Sequence, residues 1–571
     1  GQVAFHPKYT GNPLVNVGCI GIVKKDLMIH SHAGDIGDIY ILAGGKTGRD
    51  GIHGVTFASR DLDAGSEDDI GAVQLGDPIT KEPLMHLCLE LNELGLLTGM
   101  KDLGGGGLSC VVGELALDAG FGAKVDLEKV HLKLKNMAPW EIWVSESQER
   151  MMFTVKPEDV QTVLDRCNAW DVEAVAIGEV IKEKRNIVRF HNTEILNLDL
   201  EFTTGGPVYN RPYTLPEINN LEAVELPEPP LNLSETIEEI ISNPEVASKD
   251  WVIRQYDHEV RGATAIKPIQ GKIGKEVHGD SSVLKPVENS WKGLALTTDI
   301  NPHLMEANPY HGTMSAVEEI CRNLASVGAR IDSLADCLCF GNPQRPEIMG
   351  QFKSSCDALR DAASSVDVPY VSGNVSLYNE TAEGAIPPTP VLMGIGLVDD
   401  IRKCVTSDLK KEGDIWLVGD NKQQLGASLY YRTLGINCPN VPTTDFDSFI
   451  PRMEQLIDAI ECGEVVACHD ISTGGMALAI IEMCMSGVGA EINLSGDMRT
   501  DLELFNESNG RWIVQVKPGL ESEFSKRFDF AKKIGSVNKN VNFVLNEKES
   551  IVFSIEKLRK IWTEPLWNRM A

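Results

Sequence analysis

The phrase SESQER at residues 145–150 returns as NESNGR at 506–511, 361 positions later, and it does not return alone. DLGGGGLSCVVGELA (102–116) answers DISTGGMALAIIEMC (470–484), with Asp102, Gly106, Gly107 and Glu114 each 368 positions before Asp470, Gly474, Gly475 and Glu482. FGAKVDL (121–127) answers VGAEINL (488–494), and GDIYILAG (37–44) answers GDIWLVGD (413–420). Further upstream, PLVNVGCIGIVKKD (13–26) answers PTPVLMGIGLVDD (388–400), and GQVAF (1–5) answers GNVSL (373–377). Anchored matches in one order mean a duplicated unit, so any fold proposed for one copy must serve the other. The second copy has a further segment, 251–372, with no counterpart before the first. The chain therefore reads as lacking the first copy's opening domain.

At 571 residues the chain exceeds a single core and is expected to divide into several domains. The division expected is 1–32, the end of a first N-terminal-type domain, then 33–206, its C-terminal-type domain. A Pro-, Asn- and Glu-rich linker, 207–250, leads to a second N-terminal-type domain at 251–402 and a second C-terminal-type domain at 403–571. Within the linker, Ser234 is placed to cap a short helix that Asn243–Pro244 ends. Asp77–Pro78 starts a helix whose Leu84, Leu87, Leu91 and Leu94 share a face before Gly95. The runs DIYILA, MMFTVK, DIWLVG and RWIVQV read as strands, and residues 108–119 as a helix. Alternating strands and helices give an α/β (α+β) class.

A formal charge of −30 argues against a nucleic-acid backbone as partner, because phosphates would be repelled. No apolar run reaches membrane-spanning length. Thirteen cysteines are scattered singly apart from Cys337 and Cys339, the pattern of core thiols in a reducing cytoplasm. His30 and His32 form an HxH with no further ligand at metal spacing. GGKTG (44–48) is not a phosphate-binding P-loop, since the leading glycine would fall at Tyr40.

Four glycines after Asp102 let the backbone turn tightly and approach an anion, with Asp102 free to hold Mg²⁺. A Gly-rich turn packed on a neighbour fits the same residues. Glu146, Ser147 and Gln148 offer donors and acceptors for amide or ribose recognition, and a capped turn is the plainer reading. Arg150 and Arg511 recur in both copies and are expected to be structural, each paired with a carboxylate. The changes Ser145 to Asn506 and Gln148 to Asn509 suit a pair in which one copy handles substrate. PYVSGNVSLYNE (369–380) offers a close backbone approach at Gly373, a metal-ligand oxygen at Asn374 and a hydroxyl at Ser376. Asp336 heads an apolar run in DSLADCLCFGNP. Cys19, in VGCIG, is expected to be a strand residue and not a nucleophile.

Together QLGDP, KDLGGGGLS, SESQERM, RQYDHEV, CRNLASVGA, FGNPQRPE and SGNVSLYNE closely resemble the PurL family, the synthetase component of phosphoribosylformylglycinamidine synthase. The resemblance implies a tandem duplication of the aminoimidazole-ribonucleotide-synthetase-like two-domain unit, with the first domain truncated here. It implies that formylglycinamide ribonucleotide, ATP and ammonia become the amidine, ADP and phosphate, with the site assembled across the two halves. Gln74 and the trio Glu146, Ser147 and Gln148, with Ser376, would then meet the ribonucleotide. Asp336 and Gly373 would meet ATP, and Asp102 and Asn374 would hold magnesium. Asp470, Gly474 and Gly475 would mark an auxiliary nucleotide site. A catalytic His, an ATP-binding Lys and a metal-binding Glu would belong to the opening domain, so the polypeptide alone is expected to lack synthetase activity. Implied partners are a glutaminase subunit and a small PurS-type subunit. The single-copy relatives (selenophosphate synthetase, thiamine-phosphate kinase, hydrogenase-maturation proteins) would not be expected to carry SESQERM. A silent nucleotide-binding scaffold of the glutaminase complex is the competing reading.

Overall fold

The computed structural model describes residues 1–52, 76–206, 208–217, 226–382, 384–438, 440–494, 496, 498–540, 542–546 and 550–570. They divide into two compact units, Cys19–Asn210, and Gly1–Gly18 with Arg211–Ala571.

The unit Cys19–Asn210 is built on strands β1 (Ile39–Gly44), β2 (Gly99–Asp102), β3 (Gly122–Asp126), β4 (Arg150–Val155), β5 (Ala174–Ile181), β6 (Arg185–Phe190) and β7 (Thr193–Asp199). They form one sheet in the order β2-β4-β1-β5-β3-β6-β7. The unbroken apolar run of β1 has a simple cause. Tyr40 and Leu42 pack with the helix Leu108–Asp118, while Ile41 and Ala43 pack with the helices Pro78–Glu93 and Val160–Ala169. A strand covered on both faces needs no polar alternation. Pro78 occupies the first turn of its helix after Asp77, and Leu84, Leu87 and Leu91 are buried as expected, while Leu94 is half exposed at the helix end.

In the other unit, a six-stranded sheet uses β8 (Thr264–Ile266), β11 (Ser282–Leu284), β12 (Gly293–Asp299), β13 (Arg330–Cys339), β14 (Tyr370–Ser376) and β17 (Thr389–Val398), in the order β14-β13-β17-β12-β11-β8. Two short ribbons join β9 (Ile269–Lys272) to β10 (Lys275–His278), and β15 (Glu380–Thr381) to β16 (Gly384–Ala385). The seven-stranded sheet that follows uses β18 (Asp414–Val418), β19 (Val465–Asp470), β20 (Gly489–Asn493), β21 (Trp512–Val516), β22 (Lys532–Asn538), β23 (Asn542–Asn546) and β24 (Ser550–Ser554). Its order, β19-β21-β18-β22-β20-β23-β24, is that of the first sheet strand for strand. Even a close approach is repeated: a Cβ on Gly178 would meet the Lys124 carbonyl at 2.2 Å, and one on Gly535 the Glu491 carbonyl at 2.1 Å. Duplication thus fixes topology as well as wording.

Two local expectations need correction. The linker helix is Leu233–Ile241, and its cap is Asn232, whose side chain accepts the Ser234 and Glu235 amides at 3.1 and 3.4 Å; Ser234 lies inside the first turn. Cys19 is exposed and lies outside any strand. Its counterparts in β17 are held between β12 and β13, whereas among the described residues no strand pairs with the segment around Cys19.

Glu245, just after the linker helix, receives both Arg432 guanidinium nitrogens, at 2.6 and 2.5 Å, and His303 Nε2 at 3.0 Å. Burial alone would raise its carboxyl, but these partners outweigh it and hold the group down at about 2. A carboxyl depressed on folding stabilises the fold above its unfolded value, and that stability is lost as pH falls from about 4.5 through 2. Urea titrations of Glu245→Gln should show a loss of about 2 kcal/mol at pH 7, shrinking towards zero below pH 3. A loss that does not change with pH would contradict the assignment.

Candidate functional site

The SESQER loop and the glycine loop hold each other. Asp102 ends β2 with its side chain exposed, and the chain turns through Gly104–Gly107 into the helix Leu108–Asp118. The Gly106 amide donates to Glu146 Oε1 at 3.0 Å. Gly107 sits at φ 54°, ψ −131°, and a Cβ there would lie 1.9 Å from the Ser145 carbonyl oxygen. Ser145 donates to the Gly48 carbonyl at 2.7 Å, while Ser147 accepts the Gly48 amide at 2.9 Å and donates to Asp50. Glu146 and Ser147 are therefore buried and employed in shaping the loop. Gln148 donates to the Glu146 carbonyl at 2.9 Å yet remains half-buried, so its amide can still meet a ligand. Gln74 lies outside the described residues.

Arg150 is structural, but its partners are not the carboxylate expected from the sequence. Its guanidinium donates to the carbonyls of Ser147 and Ser145 at 2.7 and 2.6 Å, and to Thr47 Oγ1 at 3.0 Å. The five-donor fork satisfies a tight loop's inward carbonyls as readily as a carboxylate. Burial lowers its affinity for a proton, to about 10, against the pull of Asp50.

The second copy repeats this device. Glu507 accepts the Gly474 amide at 2.8 Å and the Leu429 amide at 2.9 Å. Arg511 donates to the carbonyls of Ser508 and Asn506 at 2.8 and 2.7 Å, and to Asn421 Oδ1 at 2.6 Å. A Cβ on Gly475, the counterpart of Gly107, would lie 2.6 Å from the Leu504 carbonyl. The recurring letters are first a folding device. The copies part at Gln148 and its counterpart Asn509, whose amide is spent on Ser315 Oγ and Thr444 Oγ1 at 2.8 and 2.9 Å.

The remaining predicted residues gather on one sheet edge. Parallel β13 and β14 pair Asp336 with Gly373, Cys337 with Asn374 and Cys339 with Ser376. A Cβ on Gly373 would stand 3.2 Å from the Asp336 carboxylate, so only glycine leaves that side of the edge open. Burial raises the Asp336 carboxyl. Asn374 and Ser376 take the opposite face by strand alternation. There Asn374 Nδ2 donates to Cys337 Sγ at 3.2 Å, and Asn379 Nδ2 donates to the Ser376 carbonyl at 2.9 Å.

Sequence reasoning found Asp470 but not its company. Asp470 lines a cleft of about 220 Å³ together with Asp280, Asp299, Glu319, His469 and Glu482. Oxygen and nitrogen ligand atoms of Asp280, His469 and Asp470 lie within 4.8 Å of one another. Fully buried Arg322 binds Glu318 closely, and reaches Glu319 Oε2 at 3.2 Å and Asp470 Oδ2 at 3.3 Å. His469 lies 2.7 Å from Asp280 and 3.1 Å from Glu482, carboxylates that raise its proton affinity despite burial. Burial pushes Asp299 and Glu318 up to about 7 and Asp470 to about 6. Among the described residues Asp299 Oδ2 is buried without a hydrogen-bond partner. The available signal was Glu318, Glu319 and Arg322, within about one turn of the helix Pro309–Ser326.

Among the described residues no helix is long and apolar enough to cross a membrane. The AIR synthase related protein C-terminal domain matches residues 35–191 and 427–546, and the corresponding N-terminal domain matches 278–398. The chain is 39% identical to phosphoribosylformylglycinamidine synthase subunit PurL of Thermoplasma volcanium, over 99% of this chain and 75% of that protein. It is 40% identical to the subunit of the same name from Methanothermobacter thermautotrophicus, over 90% of this chain and 72% of that one. A solved structure of T. maritima PurL complexed with FGAR superposes with a TM-score of 0.68 at 25% identity, covering 90% of this chain and 74% of that one. The chain thus spans about three-quarters of its relatives' length, and it belongs to the PurL family of phosphoribosylformylglycinamidine synthase subunits.

Proposed function

We propose that the chain takes part in the ATP-dependent amidation of formylglycinamide ribonucleotide to the amidine. An amide oxygen is a poor leaving group. Transfer of the ATP γ-phosphoryl group to that oxygen makes it phosphate-like, ammonia adds at the carbon, and C–O cleavage releases phosphate. The reading rests on a likeness that runs over 99% of the chain.

In this reading Gln148, in a loop fixed by Glu146, Ser147 and Arg150, meets the ribonucleotide together with Gln74 and Ser376. Asp336 and Gly373 meet ATP. Asp102 and Asn374 would hold magnesium, and their exposed oxygen donors suit that hard cation. Magnesium would neutralise triphosphate charge when bound. Asp470, with Gly474 and Gly475, belongs to an auxiliary nucleotide site. The buried oxygen donors of Asp280, Asp299 and Glu319 fit magnesium there, the unpartnered Asp299 Oδ2 above all. A glutaminase subunit would supply ammonia, and a small PurS-type subunit would accompany it in the cytoplasm.

Isothermal titration separates this reading from a scaffold. Formylglycinamide ribonucleotide and Mg–ATP should each bind the chain, and Asp336→Asn should weaken ATP about tenfold while leaving the ribonucleotide unchanged. Nucleotide binding with no ribonucleotide binding would leave only the scaffold.

A further inference from the structure

We propose that Cys337 and Cys339 form a site for a thiophilic divalent cation such as Zn²⁺ or Cd²⁺. Two residues apart on β13, they project from the same face of the strand. Their sulfurs lie 3.8 Å apart. Two thiolates on one tetrahedral zinc, each at about 2.3 Å, stand about 3.8 Å from one another, so the pair already has the spacing a metal imposes. Asn16 Oδ1 faces both, 2.9 Å from Cys337 Sγ and 3.7 Å from Cys339 Sγ, and supplies a third donor. Asn374 Nδ2 donates to Cys337 Sγ at 3.2 Å and holds that sulfur in place.

Accessibility completes the case. Cys339 is buried, whereas Cys337 is only partly so and gives an ion its entry. Soft sulfur ligands select this ion over the hard magnesium expected at the nucleotide sites. The site does not depend on the synthetase reading, and its test is spectroscopic.

Titrating the chain with Cd²⁺ should produce a thiolate-to-metal ultraviolet absorption band that saturates at one equivalent with micromolar affinity. Cys337→Ser and Cys339→Ser should each weaken that equivalent at least tenfold, and Cys462→Ser, which alters an exposed cysteine, should leave it intact. X-ray absorption of the one-to-one zinc complex should count two sulfur neighbours, a readout available even where burial makes Cys339→Ser unstable. Affinity unchanged from the parent chain in both serine variants, or zinc with no sulfur neighbour, would overturn the assignment.

Discussion

Replacing Gly107 by alanine should unfold the first copy's SESQER loop and weaken ribonucleotide binding more than a hundredfold. At φ 54°, ψ −131° the backbone is open only to glycine, and the added methyl would meet the Ser145 carbonyl at 1.9 Å. Relief requires the SESQER turn to move, which breaks the Gly106–Glu146 bond and the Arg150 cradle together. We expect a loss of at least about 3 kcal/mol in urea titrations and a loss of ribonucleotide affinity beyond a hundredfold. Gly104→Ala is the control. Its methyl would find only the Asp102 carboxylate at 3.8 Å, ordinary contact, and should cost less than about 1 kcal/mol. Equal tolerance of the two alanines would mean that the loops do not interlock as described.

Removing Arg322 should be the costliest change in the other unit. Its guanidinium is the shared cation of Glu318, Glu319 and Asp470, with Asp299 alongside. Arg322→Met leaves these carboxylates buried and uncompensated, and breaking such a pair costs about 3–5 kcal/mol. Magnesium should restore part of the loss, because the cleft offers it the same oxygens. Thermal unfolding of the variant should therefore respond to millimolar Mg²⁺ more strongly than that of the parent chain. A magnesium response equal to the parent's would show that the carboxylates do not receive the ion.

The duplicated topology was legible because the repeated letters are those with no substitute. Gly107 and Gly475 occupy conformations closed to side chains, and Arg150 and Arg511 each tie several carbonyls. What those arginines bind was not legible, since a guanidinium fork serves carbonyls and carboxylates alike. Asn232 and Ser234 are both capping residues, and only the backbone path shows which one precedes the first turn. The strand expected at Cys19 failed because strands need partners, which a local pattern cannot supply. The pairing of Asp336 with Gly373 joins phrases that looked separate in sequence. The acidic cleft was hidden for the same reason, as Asp280, Asp299, Glu319 and Asp470 meet only after folding.

The central claim is a division of labour between two loops of one design, in which Gln148 serves substrate and Asn509 serves structure. Titration of formylglycinamide ribonucleotide into Gln148→Ala and Asn509→Ala tests it most directly. The account predicts at least a tenfold weaker affinity for Gln148→Ala, with a stability loss no larger than about 1 kcal/mol from its bond to the Glu146 carbonyl. It predicts unchanged affinity for Asn509→Ala, with a stability loss of about 1–2 kcal/mol from the bonds to Ser315 and Thr444. Equal effects on ribonucleotide affinity from the two substitutions would contradict it.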